Sequence, residues 1–181
     1  MGVFSSRRES RLWLLLLLVV ATIYSTLETA NQFAGLLRDR GLLDPAFALG
    51  MLLVGLAIVA YAWQPRARAM SLAVSLGIIA VYFLTFVRMV NTAERTHLIE
   101  YGIAALLAFE ALKERKRNGG WAPVPALGAV FLTFGFGVVD ECIQLVLPSR
   151  VFDLRDIVFN GLAAIMAVLS SIALEKVRKR K

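Results

Sequence analysis

Two short polar stretches in an otherwise oily chain carry the residue types that could do chemistry. The first runs Glu94-Arg95-Thr96-His97-Leu98-Ile99-Glu100-Tyr101. The second begins at Asp140-Glu141 and continues through Gln144, Pro148, Arg150, Asp153, Arg155, Asp156 and Asn160. Together they hold the only histidine and six of the thirteen acidic residues. An imidazole beside carboxylates can move protons, and a guanidinium can grip a carboxylate or phosphate with two parallel N–H groups. His97 and Glu141 are therefore acid–base candidates, supported by Asp140 and Asp156. Arg95, Glu100, Tyr101, Gln144, Arg150, Asp153, Arg155 and Asn160 are candidates for holding a ligand.

Helical spacing groups these residues. His97 and Tyr101 are four apart and share a face, with Glu94 and Glu100 three residues to either side. Asp140, Glu141 and Gln144 recur at three and four, as do Asp153, Asp156 and Asn160. Tyr24 and Glu28 repeat the four-residue interval near the end of the first apolar run, and Glu28 joins the candidate set. Structural roles compete for the same residues. Asp153 and Asp156 suit a helix start, where a carboxylate caps free amides and complements the positive dipole end. Asp140 and Glu141 could pair with Arg150 or Arg155, and Tyr101 could be an interfacial aromatic. Asn160 is harder to explain in this way, because it lies a turn inside an apolar helix where its amide must find partners.

The elements that must position these groups follow from composition. The chain has 181 residues, 59% of them hydrophobic and only 18% charged, and its mean hydropathy is +0.70. Soluble domains run nearer a quarter charged. Six apolar segments approach the length needed to cross a hydrocarbon core: Leu12–Thr29, Ala46–Trp63, Met70–Val87, Thr96–Leu112, Val124–Leu147 and Ile157–Leu174. The expected fold is all-α, a polytopic membrane helix bundle in one domain spanning residues 1–181. The fourth segment is the shortest and suits either a tilted span or an interfacial helix. Asn118-Gly119-Gly120 should end it, and Pro123 and Pro125 should open the fifth. The first segment follows Arg7, Arg8 and Arg11 but lacks a small-residue cleavage site, so it reads as an uncleaved anchor.

Charge distribution orients the bundle. With a cytoplasmic N-terminus, fourteen Lys and Arg residues fall on the cytoplasmic side and six on the other. Both termini are then expected inside, and both polar stretches face away from the cytoplasm. The net charge of +7 sits at the flanks of apolar segments, a membrane pattern that argues against nucleic acid. Trp13, Trp63 and Trp121 read as belt residues, and Phe131, Phe134 and Phe136 as lipid-facing or packing residues. Gly135, Gly137 and Gly161 would permit close helix approach. The single cysteine, Cys142, is expected to be a small buried filler.

The order Glu94-Arg95-x-His97-x-x-Glu100-Tyr101, then Asp140-Glu141-x-x-Gln144-x-x-x-Pro148-x-Arg150-x-x-Asp153-x-Arg155-Asp156-x-x-x-Asn160, resembles the VanZ-like family of bacterial membrane proteins. The resemblance implies a small helical membrane domain whose polar motifs come together, and a link to teicoplanin and glycopeptide resistance. Many members carry a lysine or aspartate before the histidine, where this chain has Glu94-Arg95. Three functions are compatible with the residues. One is an intramembrane or interfacial enzyme, a hydrolase or transferase on a lipid-linked or cell-envelope substrate. Another is a protein that binds membrane lipid, a lipid-linked precursor or a glycopeptide-type ligand without turnover. The third is a small-solute carrier using His97 and the carboxylates as a proton relay. A wholly structural polar network is the alternative to all three. No cofactor is expected. A divalent metal on His97 with Asp140, Glu141 or Asp156 is a minor alternative, since no spacing resembles a zinc signature. The expected location is the cytoplasmic (inner) membrane of a bacterium, crossed several times.

Overall fold

The computed structural model describes residues 4–62, 68–88, 92–147 and 152–179, apart from some side chains within the helices. These residues form six helices: α1 (Arg7–Asp39), α2 (Leu43–Ala62), α3 (Arg68–Arg88), α4 (Thr92–Arg117), α5 (Pro125–Gln144) and α6 (Leu154–Lys179). Each corresponds to one of the six apolar segments. Their ends follow local chemistry. Pro125 opens α5, where its missing amide donor costs nothing. Gly119 closes α4 with φ of 77°, and the amides of Gly119 and Gly120 return to the Lys116 and Arg115 carbonyls at 3.2 and 2.9 Å. Gly41 closes α1 in the same way, with φ of 66° and paired returns to Arg38 and Leu37. Only glycine adopts that left-handed turn without a Cβ penalty.

Three of the helices are long and apolar enough to cross a membrane: Arg7–Leu27 of α1, Pro125–Gln144 of α5 and Leu154–Val177 of α6. Among the described residues α2 and α3 contribute shorter apolar stretches, Leu43–Leu53 and Val74–Phe83. α4 falls outside this measure because charged groups occupy both of its ends, leaving a short apolar middle.

The chain divides into two compact units. One joins Met1–Ala30 to Thr96–Val168, and the other joins Asn31–Arg95 to Leu169–Lys181. In the second, α2 packs on α3 with Gly55 facing the Ile79 side chain. The first contains the polar motifs of α5 and α6. Its core is narrow and built largely of alanine: Ala104, Ala105 and Ala108 of α4, Ala129 of α5, and Ala164 and Ala167 of α6, closed by Leu16 and Val20 of α1. Small side chains let helix backbones approach closely, which is how helices associate where lipid removes the hydrophobic driving force. Leu14, Leu17, Leu18, Phe131, Phe134 and Leu169 point outward, as lipid-facing residues should.

The direction of packing within this unit is read from its contacts. Tyr101 meets Asp140 while Leu112 lies against Gly128, so α4 and α5 run antiparallel. Asp153 reaches Glu141 while Asn160 abuts Gly137, so α5 and α6 run antiparallel as well. The start of α4, the end of α5 and the start of α6 therefore gather at one end of the unit.

Three expectations need correction. Cys142 is exposed rather than buried. Asp140, Glu141 and Gln144 turn inward, and Cys142, one position on from Glu141, is carried off that face. A Cβ on Gly135 would meet nothing within 4 Å, so this glycine permits no close approach; Gly137 and Gly161 do, against Asn160 and the Phe134 ring. Trp13 is more than a belt residue, because its indole N–H donates to Glu9 at 3.2 Å.

Candidate functional site

The buried face of α5 comprises Ala129, Thr133, Gly137, Asp140, Glu141 and Gln144, recurring at three- and four-residue intervals. Its outer half is polar, and it faces the polar start of α6. Asp140, Glu141, Asn160 and Tyr101 are all fully buried, Gln144 is 2% exposed and Asp156 is 9% exposed. Six polar side chains from three helices thus converge at one end of the bundle. Burial of that many polar groups is costly unless they bond to one another or to a ligand.

Most of them do bond to one another. The Tyr101 hydroxyl donates to Asp140 Oδ2 at 2.7 Å, joining α4 to α5. The Gln144 amide donates to Glu141 Oε1 at 2.8 Å. The Asp153 backbone N–H donates to Glu141 Oε2 at 2.9 Å, tying the end of α5 to the start of α6. Both oxygens of Glu141 therefore accept N–H donors, which holds the carboxyl group in place. Asp153 is half-buried and caps α6: its Oδ1 accepts the Arg155 amide at 2.8 Å. Arg155 is exposed, and its side chain forms no ion pair among the described residues, so the expected partnership with Asp140 or Glu141 does not involve it.

Asn160 is different. Among the described residues neither its amide nitrogen nor its carbonyl oxygen has a hydrogen-bond partner, and the buried Thr133 hydroxyl of α5 also has none. Asn160 packs so closely on Gly137 that a Cβ there would stand 2.7 Å from Nδ2.

Other candidates are placed by backbone alone. His97 and Arg95 lie in the first turns of α4, His97 one turn before Tyr101, and Glu28 lies in α1. The side chains of all three fall outside the described residues, as does the whole of Arg150 with Pro148. Glu100 is half-buried. Among the described side chains no group of three His, Cys, Asp or Glu could hold a metal ion.

A family model described as VanZ/LLP1 matches residues 11–175. The chain belongs to the VanZ/LLP1 family. With three helices long and apolar enough to span a bilayer, it is a membrane protein of that family. No curated protein and no solved structure matches it. The family match extends from the first helix to the sixth, well beyond the Glu94–Asn160 motifs that carried the resemblance.

Two features of this VanZ/LLP1 chain were not legible as site residues. Tyr24 of α1 donates its hydroxyl to the Phe136 carbonyl at 2.8 Å, fastening α1 to α5 just below the polar cluster. At the opposite end of the unit lies a second buried network. Glu9 is fully buried. Its Oε2 accepts from the Ser5 amide and hydroxyl, both at 2.6 Å, and its Oε1 lies 3.4 Å from Arg115 Nε. The Ser6 hydroxyl accepts the Glu9 amide at 3.0 Å, which caps α1. The Ser6-x-x-Glu9 spacing before an apolar run is the signal that could have found it. Ser6 also donates to Glu114 at 3.0 Å, and Arg8 pairs with Glu110 and Glu114 at 3.3 and 3.6 Å. The Asn118 side chain first, then Ser6, hold the Glu114 carboxyl below the usual carboxylate range.

Proposed function

We propose that the polar end of this bundle is an intramembrane binding site for the headgroup of a cell-envelope lipid, a lipid-linked precursor or a glycopeptide-type ligand. The observation that carries this reading is a carboxamide, Asn160, fully buried beside a bonded cluster of carboxylates and without a hydrogen-bond partner of its own. A purely structural network would satisfy its members, because an unmatched buried polar atom costs on the order of 1–3 kcal/mol. In this reading Asp140 and Asp156 contact the ligand, Tyr101 orients Asp140, and Glu141 with Gln144 positions the start of α6. His97, whose backbone lies near the start of α4 one turn before Tyr101, is proposed as a further member of the site.

The site faces away from the cytoplasm of a bacterial inner membrane that the chain crosses several times. Support comes from the basic residues Arg8, Arg11, Lys113, Arg115, Lys116 and Arg117, which mark the opposite end of the unit. Turnover of the ligand is the second reading. It is favoured by the 2.7 Å Tyr101–Asp140 pair, a proton donor already aligned on a carboxylate.

The test is lipidomic. Full-length protein purified in native membrane patches should retain one polar lipid class above its membrane abundance, read by mass spectrometry. Asp140→Asn and His97→Ala should lose that enrichment while remaining helical. Unchanged enrichment in both variants, with only thermal stability reduced, would mean that the cluster is structural.

A further inference from the structure

Below the carboxylates, the seam between α5 and α6 continues inward through neutral polar groups. Thr133, Gly137, Asp140 and Gln144 recur at intervals of four, three and four on the buried face of α5. Asn160 fills the space left by Gly137, one turn deeper than Asp156. Thr133 lies a further turn down the same face. Both Thr133 and Asn160 are fully buried, and among the described residues Thr133 Oγ1, Asn160 Nδ2 and Asn160 Oδ1 have no partner. Three unmatched polar atoms on adjoining turns, inside helices that span a bilayer, call for an occupant with complementary atoms.

The chemistry of the donor set decides which occupant. A carboxamide offers both donors and an acceptor, and a threonine hydroxyl offers one of each. Above them stand the carboxylates of Asp140 and Asp156, which accept when ionised. A phosphate is anionic, offers at most one hydroxyl donor, and would meet the carboxylates of Asp140 and Asp156 at the mouth of the seam. A neutral hydroxyl both donates and accepts, so it complements the amide, the threonine and the carboxylates together.

We infer that Thr133 and Asn160 form the floor of the headgroup site and bind a neutral hydroxyl, selecting uncharged polyhydroxyl headgroups of the sugar type over phosphates. This rests on the headgroup reading above. The hydroxyl could be supplied by the lipid or by water, and the test separates the two sources.

Full-length protein is reconstituted in phosphatidylcholine nanodiscs, either alone or with a minor fraction of glucosyl diacylglycerol or phosphatidic acid. Lipid retention is read by native mass spectrometry and Tm by unfolding. Glucosyl lipid should be retained and should raise Tm, and phosphatidic acid should do neither. Asn160→Leu and Thr133→Val should reduce glucosyl-lipid retention about tenfold, the loss of one net hydrogen bond. In plain phosphatidylcholine their Tm should equal or exceed that of the wild type, because each removes an unmatched polar atom. Lower Tm in plain phosphatidylcholine for both variants would overturn the inference, since it marks groups already bonded within the protein. Equal retention of phosphatidic acid would overturn it too. If neither lipid acts on the wild type while both variants are stabilised, the hydroxyl is water's and the selectivity falls. If the wild type and Asp140→Asn retain lipids identically, the headgroup reading fails first. If Asp140→Asn loses glucosyl lipid but Asn160→Leu and Thr133→Val keep it, only the floor is misassigned.

Discussion

Gly135 and Gly137 lie two residues apart on α5 and should respond oppositely to a methyl group. A Cβ on Gly137 would stand 2.7 Å from Asn160 Nδ2, 2.8 Å from its Cβ and 3.1 Å from its Cγ, whereas one on Gly135 would meet nothing within 4 Å. Carbon atoms in contact settle at about 3.5–4.0 Å, so Gly137→Ala requires the Asn160 Cβ to retreat by roughly 1 Å. That atom is one bond from the α6 backbone, so the retreat moves a helix rather than a rotamer. Overpacking of this kind costs about 1–3 kcal/mol, against a gain of about 0.5–1 kcal/mol from replacing a helical glycine. Gly137→Ala should therefore lose up to roughly 2.5 kcal/mol net, while Gly135→Ala should gain about 0.5–1 kcal/mol. The assay is reversible unfolding of the full-length protein in mixed micelles, followed by helical circular dichroism, with Gly135→Ala as the control for helix propensity. Equal stability of the two variants, or a more stable Gly137→Ala, refutes the close approach of α5 and α6 on which the site is built.

Three further outcomes are expected. Tyr101→Phe should cost about 1.5 kcal/mol in the same unfolding assay, near the top of the range for interhelical hydrogen bonds in membranes, because the acceptor is a carboxylate. A loss near zero would remove this bond from the contacts that hold α4 against α5. Asp153→Ala should cost about 1 kcal/mol by removing the cap on α6. It should leave the Glu141 contact intact, because that bond uses the Asp153 backbone; hydrogen exchange at the start of α6 would show fraying confined to its first turn. Glu114 titrates below its ordinary value of 4.5 in the folded protein, so its contribution is complete above that value and lost as pH falls through the lowered one. Acid unfolding of Glu114→Gln should therefore show a shallower loss of stability below pH 4.5 than the wild type, and an identical slope would remove Glu114 from that network.

Much of the fold was legible because its signals are local. Each apolar run became one helix, Pro125 opened α5, and Gly119 closed α4, since these depend on a residue and its immediate neighbours. The two polar stripes were legible for the same reason. Three- and four-residue spacing places Asp140, Glu141 and Gln144 on one helix face wherever that face points. Thr133 went unnoticed because a lone threonine in an apolar helix carries no such signal; its significance depends on its burial, one turn from the Gly137 that Asn160 packs against. Glu9 was not singled out, because its burial follows from contact with Arg115, more than a hundred residues away.

The sequence by itself determined the family, the helices with their start and stop residues, and the membership of the polar stripes. Only the tertiary structure decided which atoms those stripes meet. It paired Tyr101 with Asp140, committed both oxygens of Glu141 to N–H donors, turned Cys142 outward, and left the Asn160 amide unmatched against Gly137. The physical reason is rotation. Periodicity states which residues share a face, but the angle of each helix about its own axis is set by how the small residues of α4, α5 and α6 pack together.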